Sequence, residues 1–323
     1  MKKNKALDLL LNYGIVIILI LLMIVFSIAS NNFLKVTTLF TILKQVSIIG
    51  IISIGMTYVM LTGGIDLSVG SVAGVSSVTA AMLMLSGMPI FLACVVTLLI
   101  ALGYGLINGF LVTTCRMPAM IATLGLMTSL RGLAYIVTGG LPVFGFNPTF
   151  GNFATSMLFG VIPYPVILAV IFFALAYYGL NKTIKGRYIY GVGGNEEASR
   201  LSGVNVKHIK MYVYAVSGLL AGIAGLVLLS RTDSGQPAAG TGYEMDSITA
   251  VCLGGVSLNG GTGKIGLVVI GVLIMGVLGT GMIMCNINDY VQQLVKGLVL
   301  IGAVVFSVSS KRIRNSLANA ESK

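Results

Sequence analysis

Long apolar runs alternate with short glycine-rich or basic segments along the chain. Runs of about 20 residues are the length a helix needs to cross a bilayer core of ~30 Å. Such runs lie near 14–29, 46–61, 68–86, 89–113, 119–138, 164–180, 211–230, 265–285 and 290–309. A shorter one, 246–256, contains SITAVCLGG; counting it gives ten spans and puts both termini on one side. Its length leaves open whether it crosses fully or re-enters. The alternating period of outer-membrane strands is absent. The predicted fold is all-α, a polytopic transmembrane helical bundle of about ten spans with discontinuous Gly-rich elements. No linker marks a second folded unit, so 1–323 reads as one transmembrane domain with a cytoplasmic loop at about 181–210.

Composition agrees with the pattern. Hydrophobic residues make up 56% of the chain, charged residues 9%, and the mean hydropathy is +1.00, whereas a soluble domain carries about a quarter charged residues. A net charge of +11 raises the question of nucleic acid. The charges, however, sit at span ends, and no basic face with interleaved aromatics is present. The charge sets orientation instead. With the N-terminus inside, the cytoplasmic segments hold Lys2, Lys3, Lys5, Arg116, Lys182, Lys185, Arg187, Arg200, Lys207, Lys210, Lys264, Lys311, Arg312, Arg314 and Lys323, which is 15 of the 20 Lys and Arg. The outside receives Lys35, Lys44 and Arg231, while Arg131 and Lys296 fall within spans. Segment 139–163 has no basic residue, as an external loop should. MKKNK before the first run could open a signal peptide, but no convincing cleavage site follows, so the first span is expected to stay as an anchor. Cys94, Cys252 and Cys285 lie in or at the ends of apolar runs and Cys115 at a boundary, which suggests neither a disulfide framework nor a metal site.

The long polar stretch 182–210, KTIKGRYIYGVGGNEEASRLSGVNVKHIK, contains the sole histidine, His208. Its centre, GGNEEASRLSG, reads as a short complete helix. Asn195 can cap the free backbone N–H groups, Glu196 and Glu197 face the positive end of the dipole, Arg200 lies in the last turn, and Gly203 supplies a left-handed stop. Ala198 and Leu201 are three apart and share one face, a candidate contact for a partner. The bland reading is a solvated loop that only joins two spans.

Two nucleotide-like motifs fail on context. GTGKIG (261–266) matches G-x-G-x-x-G but lies between spans with no preceding strand, and Leu258 and Ile265 break the P-loop pattern around Gly263–Lys264. With no Ser/His/Asp set and no His or Cys cluster, an enzyme reading is poor, and no cofactor is expected. GGIDLSVGS (63–71) aligns with GGVSLNGGT (254–262) at an offset of 191, with Ser257 opposite Asp66. Two related discontinuous elements lining one pathway would look like this, and so would independent use of Gly-rich bends. Among the 42 glycines, Gly70/Gly74, Gly105/Gly109 and Gly218/Gly222 form G-x-x-x-G pairs, expected to serve close helix packing. Asp66, Ser68, Ser71, Asn108, Tyr243 and Asn259 are polar residues in or beside Gly-rich membrane segments and are the candidate translocation-pathway residues. Asp66 has two readings, a cap for the following helix or a substrate contact.

These segments carry a family likeness. TGGIDLSVGS (62–71), MPAMIATLG (117–125), GRYIYGVGGNEEASRLSGVNVKHIK (186–210) and QPAAGTGYEMDSITAVCLGGVSLNGGTGKIG (236–266) resemble the permease subunits of bacterial sugar ABC importers. The ribose-type branch is the nearest in likeness; it also takes in permeases for allose, galactose, xylose and the furanose autoinducer. The likeness runs from about residue 33 to 309 with the motifs in order; Thr113, Thr114, Cys115, Arg116 and Met117 add nothing to it. It implies a homodimeric permease in the bacterial cytoplasmic (inner) membrane, surrounded by membrane lipid. Its partners would be a cytoplasmic ABC ATPase and a periplasmic or lipid-anchored sugar-binding protein, with no nucleic acid. It further implies that Gly194, Asn195, Glu196, Glu197, Ala198, Leu201 and Gly203 form the segment that couples to the ATPase. The competing readings are a secondary, proton-coupled small-solute transporter, which would need a titratable membrane residue, and a structural membrane scaffold, which leaves the Gly-rich bends unexplained.

Overall fold

The computed structural model describes the backbone of residues 5–321 and the side chains of residues 14–305. Of the basic residues used for orientation, Lys2, Lys3 and Lys323 lie outside the described residues, as do the side chains of Lys5, Lys311, Arg312 and Arg314.

The described residues are mainly helical: α1 (Lys5–Ala29), α2 (Val36–Leu61), α3 (Val69–Leu85), α4 (Ile90–Thr113), α5 (Ala119–Thr138), α6 (Pro148–Thr155), α7 (Tyr164–Lys182), α8 (Ile184–Gly194), α9 (Glu196–Leu201), α10 (Val206–Thr232), α11 (Tyr243–Leu253), α12 (Ile265–Met284) and α13 (Asp289–Glu321). A hairpin of two two-residue strands, β1 (Met157–Leu158) and β2 (Ile162–Pro163), is the only sheet among the described residues. Among the described residues, six helices are long and apolar enough to cross a membrane: α2, α4, α5, α7, α10 and α12. The described part of α1, Gly14–Ala29, and α3 are shorter apolar helices. The run at 246–256 is helical only as part of α11, 11 residues ending at Leu253. Such a helix is roughly 16 Å long, about half the hydrocarbon thickness, and does not cross it alone.

Helix α10 forms the centre and packs on α4, α2 and α3, while α11 and α12 pack on α2 from another side. Helices α4, α5 and α7 turn large side chains such as Phe91, Ile136 and Val170 outward, as lipid-facing helices do. The G-x-x-x-G pairs explain how α4 and α10 cross so closely. A Cβ on Gly218 would lie 2.6 Å from the Ala101 carbonyl and 2.7 Å from the Gly105 nitrogen, and one on Gly109 would lie 3.0 Å from the Met211 Cα. Gly70 and Gly74 do the same for segment 239–240, which lies across α3. Lipid offers no hydrophobic drive between helices, so backbone approach of this kind supplies much of the packing attraction.

The connections gather at two ends. Helix α7 runs from the base-free segment 139–163 to the basic stretch 182–210, so the two lie at opposite ends of a 19-residue helix. At the first end, Val143 and Gly235 exchange backbone bonds of 2.8 and 2.9 Å, and Ser230 Oγ donates to the Phe150 carbonyl at 2.7 Å. Farther along α3, beside Gly74, the Arg131 guanidinium donates to the Pro237 and Ala239 carbonyls, both at 2.7 Å. At the second end, Thr123 Oγ1 donates to the Ile65 carbonyl at 3.2 Å, the Gly261 N–H to the Leu61 carbonyl at 2.9 Å, and the Tyr190 hydroxyl to the Gly263 carbonyl at 2.9 Å. The two basic residues inside apolar runs thus have structural partners: Arg131 ties down segment 237–239, and Lys296 pairs with Asp246 at 2.7 Å, joining α13 to α11.

If the α4–α10 crossing depends on bare backbone, Gly105→Leu will lower the thermal midpoint of the purified protein and its yield, since overpacking costs about 1–3 kcal/mol or more. Gly103→Leu, on the same helix with nothing within 4 Å of its Cβ, will leave both unchanged. Equal effects would contradict the packing account.

Candidate functional site

Asp66 follows the α2–α3 bend at Gly63 and Gly64 and is 1% exposed. Its Oδ1 accepts the Ser68 N–H at 3.0 Å, the Ser68 hydroxyl at 2.6 Å and the Asn108 amide at 3.3 Å, and its Oδ2 accepts the Ser217 hydroxyl at 2.8 Å. The Asn108 amide also donates to Ser68 Oγ at 2.8 Å. The carboxylate therefore holds the start of α3 through a turn-type bond to residue i+2, and at the same time pins α4 and α10. A carboxylate is tolerable among apolar helices only when so many donors satisfy it. Asp66 is not itself the cap of α3: the N-cap position is Ser68, which makes no side-chain cap bond, and the carboxylate instead holds the Ser68 N–H just before the helix as part of a clamp on three helices. Its full burial leaves no surface for a substrate in this conformation.

The candidate pathway residues separate. Asp66, Ser68 and Asn108 form one cluster, with Ser71 buried nearby on α3. Asn259 is exposed in the α11–α12 bend, where its N–H is held by Ser257 Oγ at 3.2 Å and its carbonyl faces Gly63. Tyr243 opens α11 beside segment 237–242, where the Gly240 carbonyl and Glu244 lie against Gly70 near the start of α3. Ser217 and Tyr214, both on α10, escaped the sequence analysis. Ser217 lies 151 positions from Asp66, and Tyr214 stands within a run that reads simply as membrane helix. The Tyr214 hydroxyl, Asn108 Oδ1 and Ser71 Oγ are buried and have no partner among the described residues, so the cluster keeps unused hydrogen-bonding capacity.

The second set forms the tip of the basic stretch. Thr183 turns the chain from α7 into α8 by accepting the Gly186 N–H at 3.1 Å. Asn195 caps α9, its Oδ1 accepting the Ala198 N–H at 2.9 Å, and Gly203 follows in the left-handed region at φ +83°. Glu197 pairs with Arg200, and Glu196 with Lys210 at the start of α10, both at 2.6 Å. These exposed pairs contribute little stability. Ser199 is the α9 residue that turns inward, towards Gly191. Gly194, Asn195, Glu196, Glu197, Ala198, Leu201 and Gly203 are all exposed, and Leu201 is 79% so. An exposed leucine on a charged, capped helix is free for a partner.

A family profile described as "Branched-chain amino acid transport system / permease component" matches residues 38–304. The chain belongs to this permease family. The permease is 44% identical over 293 residues to the ribose import permease protein RbsC of Haemophilus influenzae, with 90% of each chain covered. It is 43% identical over 289 residues to RbsC of Bacillus subtilis, covering 89% of each. The L-arabinose transport system permease protein AraH of Escherichia coli K12 is 37% identical over 305 residues, covering 94% of the permease and 93% of the relative. No solved structure matches it. The sequence likeness to sugar ABC permeases is confirmed, and the chain is a membrane permease of that class.

The clamp sets the sign of two substitutions. In the permease, Asp66→Asn keeps an oxygen for the Ser68 and Asn108 donors, while the Ser217 hydroxyl can rotate to accept, so the expected cost is about 1 kcal/mol. Asp66→Leu orphans the donors and is expected to cost about 3 kcal/mol or more. Thermal midpoints in detergent should fall in that order, and a leucine variant as stable as the asparagine variant would contradict the clamp.

Proposed function

We propose that this chain is the membrane-spanning subunit of an ATP-dependent importer that translocates a monosaccharide, ribose or a closely related pentose, delivered by an external binding protein. The observation that carries the reading is the 44% identity to a ribose import permease over 90% of both chains, with 37% to an arabinose permease. ATP hydrolysis belongs to a separate cytoplasmic ATPase, and two copies of the permease form the membrane assembly. The exposed face of α9, with Ala198 and Leu201, is the surface the ATPase receives, and Asn259 with the Asp66 cluster borders the route. The 15-to-3 distribution of basic residues supports a cytoplasmic second end, with α8 and α9 in the cytoplasm and both termini on that side of the inner membrane. Ten passes require α1, α3, α11 and α13 to complete the spans that the six long helices begin, α11 only together with the bends at its ends.

Uptake of labelled sugars into proteoliposomes holding permease, ATPase and binding protein tests the reading. Ribose is expected to enter with ATP on the ATPase side and a collapsed proton gradient. Uptake that stops with an ionophore yet needs no ATP would overturn the reading in favour of a proton-coupled carrier. In the same assay Ala198→Arg should insert normally but fail to bind the ATPase, because an unpaired charge in a dry contact costs several kcal/mol. Unchanged assembly and uptake would remove α9 as the docking surface. Orientation is read by placing single cysteines at Asn152 and Ser202 after replacing Cys94, Cys115, Cys252 and Cys285. They should label from opposite sides, and labelling from one side contradicts the orientation.

A further inference from the structure

Three segments far apart in sequence meet at one point beneath α9, and all meet through glycine. The first is the end of α2, the Leu61 carbonyl and Gly63. The second is the α11–α12 bend, Gly260 and Gly261, both in the left-handed region at φ +80° and +73°. The third is the end of α8, Gly193 and Gly194. A Cβ on Gly193 would run into the Leu61 carbonyl oxygen and lie 2.5 Å from the Gly261 nitrogen. A Cβ on Gly261 would lie 2.6 Å from the Gly194 Cα, and one on Gly260 would lie 2.7 Å from the Gly63 nitrogen and 3.0 Å from the Gly193 Cα. One hydrogen bond closes the contact, from the Gly261 N–H to the Leu61 carbonyl at 2.9 Å. A second ties α8 to the same bend, from the Tyr190 hydroxyl to the Gly263 carbonyl at 2.9 Å.

The position of this joint is what matters. Asn195, the cap of α9, directly follows Gly194, and five positions separate Leu61 from Asp66. Helix α9 has few other ties to the bundle; Ser199 rests near Gly191, and Glu196 holds Lys210. A load on the exposed face of α9 is therefore delivered to the end of α8. There it meets backbone, which cannot yield by changing rotamer as a side chain would. A displaced Gly193 must carry with it the Leu61 carbonyl on one side and Gly261 on the other. The first leads to the Asp66 clamp on α3, α4 and α10, and the second to Asn259 and α12.

We propose that Gly193, Gly260 and Gly261, with Tyr190, are positioning residues of the transport cycle: they form a backbone joint that carries movement of α9 to both Gly-rich bends at once. The proposal rests on the importer reading above. It also gives the likeness between segments 63–71 and 254–262 a physical use, since the two bends touch each other and the same helix end.

The test is the number of sugars taken up per ATP hydrolysed by the reconstituted complex, a ratio that a general loss of stability does not change. Gly193→Ala is expected to retain ATP hydrolysis while the ratio falls about tenfold or more, in keeping with the effect of a misplacement near 1 Å at a coupled site. Gly191→Ala, on the same helix with ordinary space for a methyl group, should match wild type. Tyr190→Phe removes one hydrogen bond and adds no atom, and should lower the ratio about threefold. A wild-type ratio in Gly193→Ala overturns the proposal. Should that variant fail to assemble, Tyr190→Phe decides: a reduced ratio supports the joint and an unchanged one overturns it. A wild-type complex without ATP-driven uptake fails the importer reading, and the joint with it; a joint that fails alone shows only in the variants.

Discussion

A chain that leaves its helix among apolar helices must still find a partner for each buried backbone N–H and C=O. This permease does so twice, at the α2–α3 and α11–α12 bends, and much else in its architecture follows. Glycine lets the bends approach one another until the Gly261 N–H reaches the Leu61 carbonyl. The carboxylate of Asp66 takes up the donors at the start of α3 and those offered by α4 and α10. Neither device works alone. Glycine removes the steric barrier to contact but brings no side chain to hold it, while Asp66 holds strongly but only where several donors converge.

The result is a bundle whose two ends differ in kind. One end is closed by ordinary loop structure, the short bridge between Val143 and Gly235 and the bonds of Ser230 to α6, from which segment 235–240 runs in along α3 and is gripped by Arg131 beside Gly74. The other end is built from backbone in close contact and supports a small, capped, exposed helix. Movement delivered to α9 has a stiff route inward. The ion pairs Arg200–Glu197 and Lys210–Glu196 hold the local shape of that tip and are too exposed to anchor it strongly.

The sequence made the helices legible where apolar length decides the outcome, as in α4, α5 and α7. The apolar run at 46–61 is shorter than α2 because Lys44 and Gln45, both within the helix, interrupt its apolar character. The short α11 showed in advance as a run of uncertain reach, since only about half a bilayer of apolar residues lies between Tyr243 and Gly254. The cap at Asn195 and the stop at Gly203 were legible because capping is local chemistry. Long-range partners were not. Nothing in the sequence links Ser217 to Asp66 or Lys296 to Asp246, and a glycine such as Gly193 has no side chain to announce its contacts. The repeated segments 63–71 and 254–262 were the one long-range signal available. They pointed to two bends that do touch, although Ser257 stands where Asp66 has its counterpart and only the first bend has a carboxylate clamp.

The central claim is that the end of α8 and the two glycine bends move as one body. Hydrogen–deuterium exchange on the reconstituted complex, with and without a non-hydrolysable ATP analogue, tests it most directly. The account predicts that peptides covering 186–203, 60–68 and 257–264 change their exchange together and in proportion when nucleotide binds. A change confined to 186–203, with the two bends exchanging as before, would contradict it.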